Sequence, residues 1–171
     1  LSYPLLFIQK NNEYLFPEGK NYSDLIKQDL ADKENLELHL STIFTELRLK
    51  KYIEIRSLDA CEWDCHCSGP AFFIGLLYGN LDECYNIVNK WDKKNIIDAY
   101  SDSPIKGLKT EIDGKSILYW TDIFFKLSKD GLEKRNFTNL RNNNETQYLK
   151  SIESMIQKKS TRAEDVVKNL K

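Results

Sequence analysis

The sequence predicts an α+β fold, helix-rich with a few antiparallel strands, and three observations carry that expectation. Alternation of apolar and polar residues is concentrated early, in the stretches Tyr3–Phe16 and Leu47–Arg56. Farther on, apolar residues recur at helical spacing, as in Ile117, Trp120, Phe124 and Leu127 and again in Tyr148, Ile152, Met155 and Ile156. Helix-start signals also gather late, with Thr161-Arg162-Ala163-Glu164 spaced as a capping box. With 171 residues, 41% of them hydrophobic, the chain can bury a core. It is read as a single piece spanning 1–171, with strands over about 1–60 and helices over about 68–171.

Tyr3 to Ile8 and Glu13 to Phe16 flank Asn11-Asn12, a pair that suits a tight hairpin turn. Ser23 is placed to cap a short helix, and Leu36, Leu40 and Phe44 are spaced as the core-facing stripe of the next. His39 beside that stripe reads as a hydrogen-bonded structural histidine. Pro70 suits the first turn of a buried helix through Tyr78, and Asn80 with Glu83 has capping-box spacing for another. A short helix is expected over Asp92–Tyr100, followed by a turn-rich break from Ser101 to Gly107. A long amphipathic helix from about Lys115 to about Gly131 precedes an Asn-rich loop over Arg135–Thr146.

A net charge of -1 gives no field for nonspecific binding to nucleic acid or an anionic membrane surface. The longest apolar run, Pro70–Tyr78, is far short of the roughly 20 residues of a membrane span. The start at Leu1, without an initiator Met, is expected of a piece cut from something longer. Cys61, Cys65 and Cys67 crowd one loop with His66, but adjacent side chains do not converge easily on one ion, and no Cys-x-x-Cys pair is present. They read first as reduced loop cysteines in a cytoplasmic protein, with a redox or disulfide role as the alternative, and the sequons at Asn21, Asn136 and Asn144 are there accidental.

Leu47–Arg56 is the stretch with chemistry in it. Read as one strand, it places Arg48, Lys50, Tyr52, Glu54 and Arg56 on one face and Leu47, Leu49, Ile53 and Ile55 on the other, with Lys51 the misfit. The polar face is either solvated or the floor for an anionic, metal-bound ligand. In the second case Glu54 offers a hard oxygen ligand and Arg56 a phosphate-binding fork.

The run His39-Leu40-Ser41-Thr42-Ile43-Phe44-Thr45-Glu46-Leu47-Arg48-Leu49-Lys50, leading into Glu54-Ile55-Arg56, resembles the plant and alphaproteobacterial type of glutamate–cysteine ligase. Pro70-Ala71-Phe72-Phe73-Ile74-Gly75-Leu76-Leu77-Tyr78, Gly107-Leu108-Lys109-Thr110, Lys129-Asp130-Gly131-Leu132-Glu133 and Thr161-Arg162-Ala163-Glu164 continue the likeness in order. The resemblance implies the helix-rich C-terminal part of a glutamine-synthetase-like catalytic fold. It also implies ATP-dependent joining of L-glutamate, through its side-chain carboxylate, to L-cysteine by way of an acyl phosphate, the first step of glutathione synthesis. By the same resemblance Glu54 is a Mg2+ ligand and Arg56 a phosphate contact, with Arg48 and Tyr52 on the substrate side. Asp64-Cys65 stands where many relatives carry an arginine pair, and Thr45 where they carry proline. The remaining metal and ATP ligands are expected upstream, so the piece alone is expected to be inactive. A ligase with another amine acceptor and a non-catalytic ligase-derived binding domain remain open. Self-association through an exposed sheet edge is expected of a truncated sheet.

Overall fold

Asn11 and Asn12 take φ of 51° and 63°, the left-handed region that a two-residue hairpin turn requires. In the computed structural model, which describes residues 2–170, this turn joins β1 (Ile8–Lys10) to β2 (Glu13–Leu15), with Ile8 opposite Leu15 and Lys10 opposite Glu13. The chain divides into two units, one ending at Leu58 and the other beginning at Asp59.

In the first unit, α1 (Tyr22–Lys27) is capped by Asn21 rather than by Ser23. The reason is reciprocity. Asn21 Oδ1 accepts from Asp24 N at 3.3 Å while Asp24 Oδ2 accepts from Asn21 N at 3.1 Å, whereas the residue three beyond Ser23 is Ile26, which has no acceptor to return.

The next helix, α2 (Lys33–Thr42), does not bury the expected stripe: Asn35 and His39 are buried, Leu36 is partly so, and Leu40 and Phe44 are exposed. Asn35 sets this rotation by clamping β1, its Oδ1 accepting from Gln9 N at 2.7 Å and its Nδ2 donating to Gln9 O at 3.1 Å. One turn on, His39 is 1% exposed and stacks on Tyr22 with ring centroids 5.6 Å apart. Neither of its ring nitrogens has a hydrogen-bond partner among the described residues, contrary to expectation. Leu5, Ile8, Tyr22 and Leu25 form the small core beside it.

The stretch expected as one strand is a hairpin. β3 (Leu47–Leu49) and β4 (Ile53–Ile55) pair antiparallel, with Leu47 opposite Ile55, Arg48 opposite Glu54 and Leu49 opposite Ile53. The reversal falls at Lys50–Tyr52, where the alternation fails. A continuous strand would put the Lys51 charge on the apolar side, whereas the turn leaves it exposed.

The second unit is built on α3 (Ser68–Gly79) and α6 (Ile117–Arg135). Their backbones meet where Gly75 faces the Ser128 carbonyl and Gly79 faces Gly131, too close for any Cβ. Ser128 Oγ donates to Phe72 O at 2.9 Å across the seam. Asn80, expected to cap the following α4 (Leu81–Val88), makes no side-chain cap. Its Nδ2 instead donates to Leu127 O at 2.7 Å and Asp130 Oδ2 at 2.8 Å, and its Oδ1 accepts from Lys134 Nζ at 2.8 Å. Buried Asn80 is thus held by α6, where fixed partners replace water.

Helix α5 (Lys93–Lys106) runs through the expected break and through Pro104. The carbonyl that Pro104 cannot reach, Tyr100 O, accepts instead from Ser103 Oγ at 3.2 Å. A hairpin absent from the sequence reading, β5 (Glu111–Ile112) with β6 (Lys115–Ser116), turns at Asp113 and Gly114, both at positive φ. The rest of the unit comprises α7 (Lys150–Lys158) and α8 (Arg162–Asn169), the latter with the full Thr161/Glu164 capping box. Ala71, Phe125, Leu132 and Leu149 are its buried centre.

Candidate active-site hairpin

Register alone brings Arg48 and Glu54 together on the polar face of the β3–β4 hairpin. The Glu54 carboxylate lies 3.8 Å from Arg48 Nη1 and 4.0 Å from Lys50 Nζ, ion pairs too long to be short hydrogen bonds. The oxygen that makes both pairs, Oε2, is buried and has no hydrogen-bond partner among the described residues. Two residues on, Arg56 N donates to Glu46 O at 2.9 Å, extending the ladder, and the Arg56 side chain carries a second buried orphan, Nη1. A buried acceptor and a buried donor both lacking hydrogen bonds are costly features in a folded chain. They suit a ligand that supplies a cation to one and an anionic oxygen to the other.

Two contacts here were not read from the sequence. Arg48 Nη2 donates to Ser41 O at 3.1 Å and to Ile43 O at 3.4 Å, binding the hairpin to the carbonyls at the end of α2. The Arg56 guanidinium lies over the Phe44 ring, 5.2 Å from its centroid. The helical spacing that marks Phe44 as core hides the second, and backbone carbonyls leave no signal in the sequence for the first. Tyr52, at the turn, is exposed, and so are Leu47, Leu49 and Ile53 on the apolar side.

Glu54 Oε2 is an oxygen of the kind that Mg2+ selects, and with only long ion pairs and no hydrogen bond it fits a ligand role. Among the described residues no three His, Cys, Asp or Glu side chains gather around a common point, so Glu54 would be one ligand of an incomplete set.

In the second unit, Cys61 and Cys65 are joined in a disulfide across the turn at Trp63–Cys65, with Cα atoms 6.1 Å apart, which corrects the expectation that they are reduced. The i,i+4 spacing over a tight turn brings the two within disulfide reach. Cys67 and Cys84 are free. Asp64, at the departure from the arginine pattern, lies 3.5 Å from Arg162 Nη2, and Glu62 lies 3.5 Å from Arg162 Nη1.

Residues 17–169 match the model of glutamate-cysteine ligase family 2 (GCS2). The chain belongs to the glutamate–cysteine ligase family. It is 30% identical over 173 residues to glutamate–cysteine ligase A, chloroplastic, of Oryza sativa subsp. indica, covering 96% of this chain and 34% of that one. Against the chloroplastic glutamate–cysteine ligase of Solanum lycopersicum the identity is 30% over 179 residues, 98% of this chain and 32% of the relative. The Arabidopsis thaliana enzyme is 28% identical over 176 residues, with 98% and 33% covered. The chain therefore spans about a third of the length of the curated relatives it matches. Among the described residues no helix is long and apolar enough to cross a membrane.

Proposed function

We propose that this chain is the C-terminal part of a longer glutamate–cysteine ligase with a glutamine-synthetase-like catalytic fold, and that the β3–β4 hairpin is one wall of its active site. The observation that carries this reading is a pair of buried atoms without a hydrogen-bond partner among the described residues, Glu54 Oε2, which makes only the long ion pairs to Arg48 and Lys50, and Arg56 Nη1, on the Glu-x-Arg segment that resembles the family's. In the reaction, a glutamate γ-carboxylate oxygen attacks the γ-phosphorus of ATP and ADP leaves. The cysteine nitrogen then attacks the resulting acyl phosphate at carbon, losing a proton as inorganic phosphate departs.

Glu54 would hold Mg2+, which neutralises phosphate charge when bound. Arg56 donates to an oxygen of the transferring phosphoryl group, holding it as charge develops. Arg48 steadies the Glu54 carboxylate and, with Tyr52, faces the substrate side. We place the protein in the cytoplasm, although the plant relatives are named chloroplastic. Fractionation of the source cells tests that placement. The two-stranded β3–β4 ribbon also supports self-association through an open strand edge, which light scattering of the isolated chain would detect as dimer.

An ADP-release assay on the full-length protein tests the reaction. Release should require glutamate and cysteine together, and the chain over 1–171 alone should give none. Equal release with simple amines in place of cysteine would point to a different carboxylate–amine ligase.

A further inference from the structure

Phe44 has no packing reason to be where it is. It lies just beyond Ile43, the C-cap of α2, and is 79% exposed, although helical spacing marks it as core. Its ring lies under the Arg56 guanidinium, 5.2 Å from centroid to cation and within the roughly 6 Å of a cation–π contact. The guanidinium has a buried Nη1 with no hydrogen-bond partner, so that nitrogen is not fixed by any acceptor. The backbone leading into Phe44 is held, because Arg48 Nη2 donates to Ile43 O at 3.4 Å and to Ser41 O at 3.1 Å. A planar cation laid on a ring whose preceding backbone is held loses some of the freedom to rotate its fork away from a ligand.

We propose that Phe44 is a positioning residue for phosphoryl transfer: its ring face sets the plane of the Arg56 guanidinium so that the fork meets the transferring group. The proposal rests on the reading of Arg56 as the phosphate contact. Phe44 touches neither substrate nor metal and acts through Arg56. A leucine of similar bulk would fill the same space without offering a π face, and a tyrosine would keep the face.

The experiment uses the full-length protein with Phe44→Leu, Phe44→Tyr, Arg56→Lys and the double variant Phe44→Leu/Arg56→Lys, each with kcat, KM for cysteine and melting temperature. Phe44→Leu should lower kcat on the order of tenfold, as expected of a displaced catalytic group, with KM for cysteine and melting temperature unchanged. Phe44→Tyr should retain kcat within about twofold. Lysine is a point charge with no plane to orient, so in the Arg56→Lys background Phe44→Leu should change kcat by less than about twofold. Wild-type kcat for Phe44→Leu beside a crippled Arg56→Lys overturns the positioning role and leaves the phosphate reading intact. The same tenfold loss in both backgrounds, or a loss that follows a fall in melting temperature, also overturns it. Wild-type kcat for Arg56→Lys removes the phosphate reading, and this proposal with it.

Discussion

Gly75→Ala tests how closely α3 and α6 approach, because two effects of opposite sign compete there. Alanine is the better helix former by about 1 kcal/mol in a helix interior, so a loosely packed α3 would gain stability. A Cβ at position 75 would instead fall on the backbone carbonyl of Ser128, an atom that cannot rotate aside. Ser128 is itself fully buried and tied to Phe72 O at 2.9 Å, so retreat of α6 would break a buried hydrogen bond as well. Overpacking of this kind costs about 1–3 kcal/mol, and loss of the buried bond adds about 1 kcal/mol or more. The overlap therefore exceeds the propensity gain, leaving a net loss of about 2 kcal/mol, or roughly 4–8 °C in melting temperature for a chain of this size. Thermal unfolding followed by far-ultraviolet circular dichroism measures it. An unchanged or raised melting temperature would refute the backbone-to-backbone contact.

Asn80→Ala removes two donated bonds and one accepted bond at a buried site, leaving Leu127 O short of a partner. Denaturant unfolding should show a loss of about 1–3 kcal/mol, against under about 0.5 for a solvated asparagine. Burial holds the His39 imidazole below its ordinary value, so the folded chain favours the neutral ring. The unfolded chain takes up a proton near pH 6.5, so this contribution is complete above about that pH and is lost progressively as pH falls toward the depressed folded value. Unfolding midpoints compared at pH 7.5 and 5.5 should fall for the natural chain and fall less for His39→Leu. An equal fall in both would place the acid sensitivity elsewhere.

The sequence disclosed the helix-rich α+β pattern because periodicity and caps act locally. Asn11-Asn12 demanded its turn, and Thr161 with Glu164 could close a capping box without help from the rest of the chain. What it concealed were choices made by partners distant in the chain. Asn35 is polar and precedes the apolar stripe of Leu36, Leu40 and Phe44, yet its hold on Gln9 turns α2 so that Leu40 and Phe44 are exposed. Asn80 carried a valid local capping signal and lost it to residues about fifty positions away. At the site, alternation alone put Arg48, Glu54 and Arg56 on one face, and that grouping is independent of whether the strand runs straight or turns back at Lys51, because the register keeps even-numbered residues together. The supports under those residues, the carbonyls of Ser41 and Ile43 and the Phe44 ring, are nearby in the chain, but helical spacing assigned Phe44 to the core and carries no signal for a backbone acceptor.

The most direct test of the hairpin as a wall of the active site is turnover of full-length Glu54→Gln. The amide keeps the shape of the side chain and removes the charge that would hold Mg2+, while Glu54 makes only long ion pairs in the fold, at 3.8 and 4.0 Å. The account predicts a fall in kcat of roughly a hundredfold or more, with melting temperature nearly unchanged. Turnover equal to that of the natural protein would contradict it.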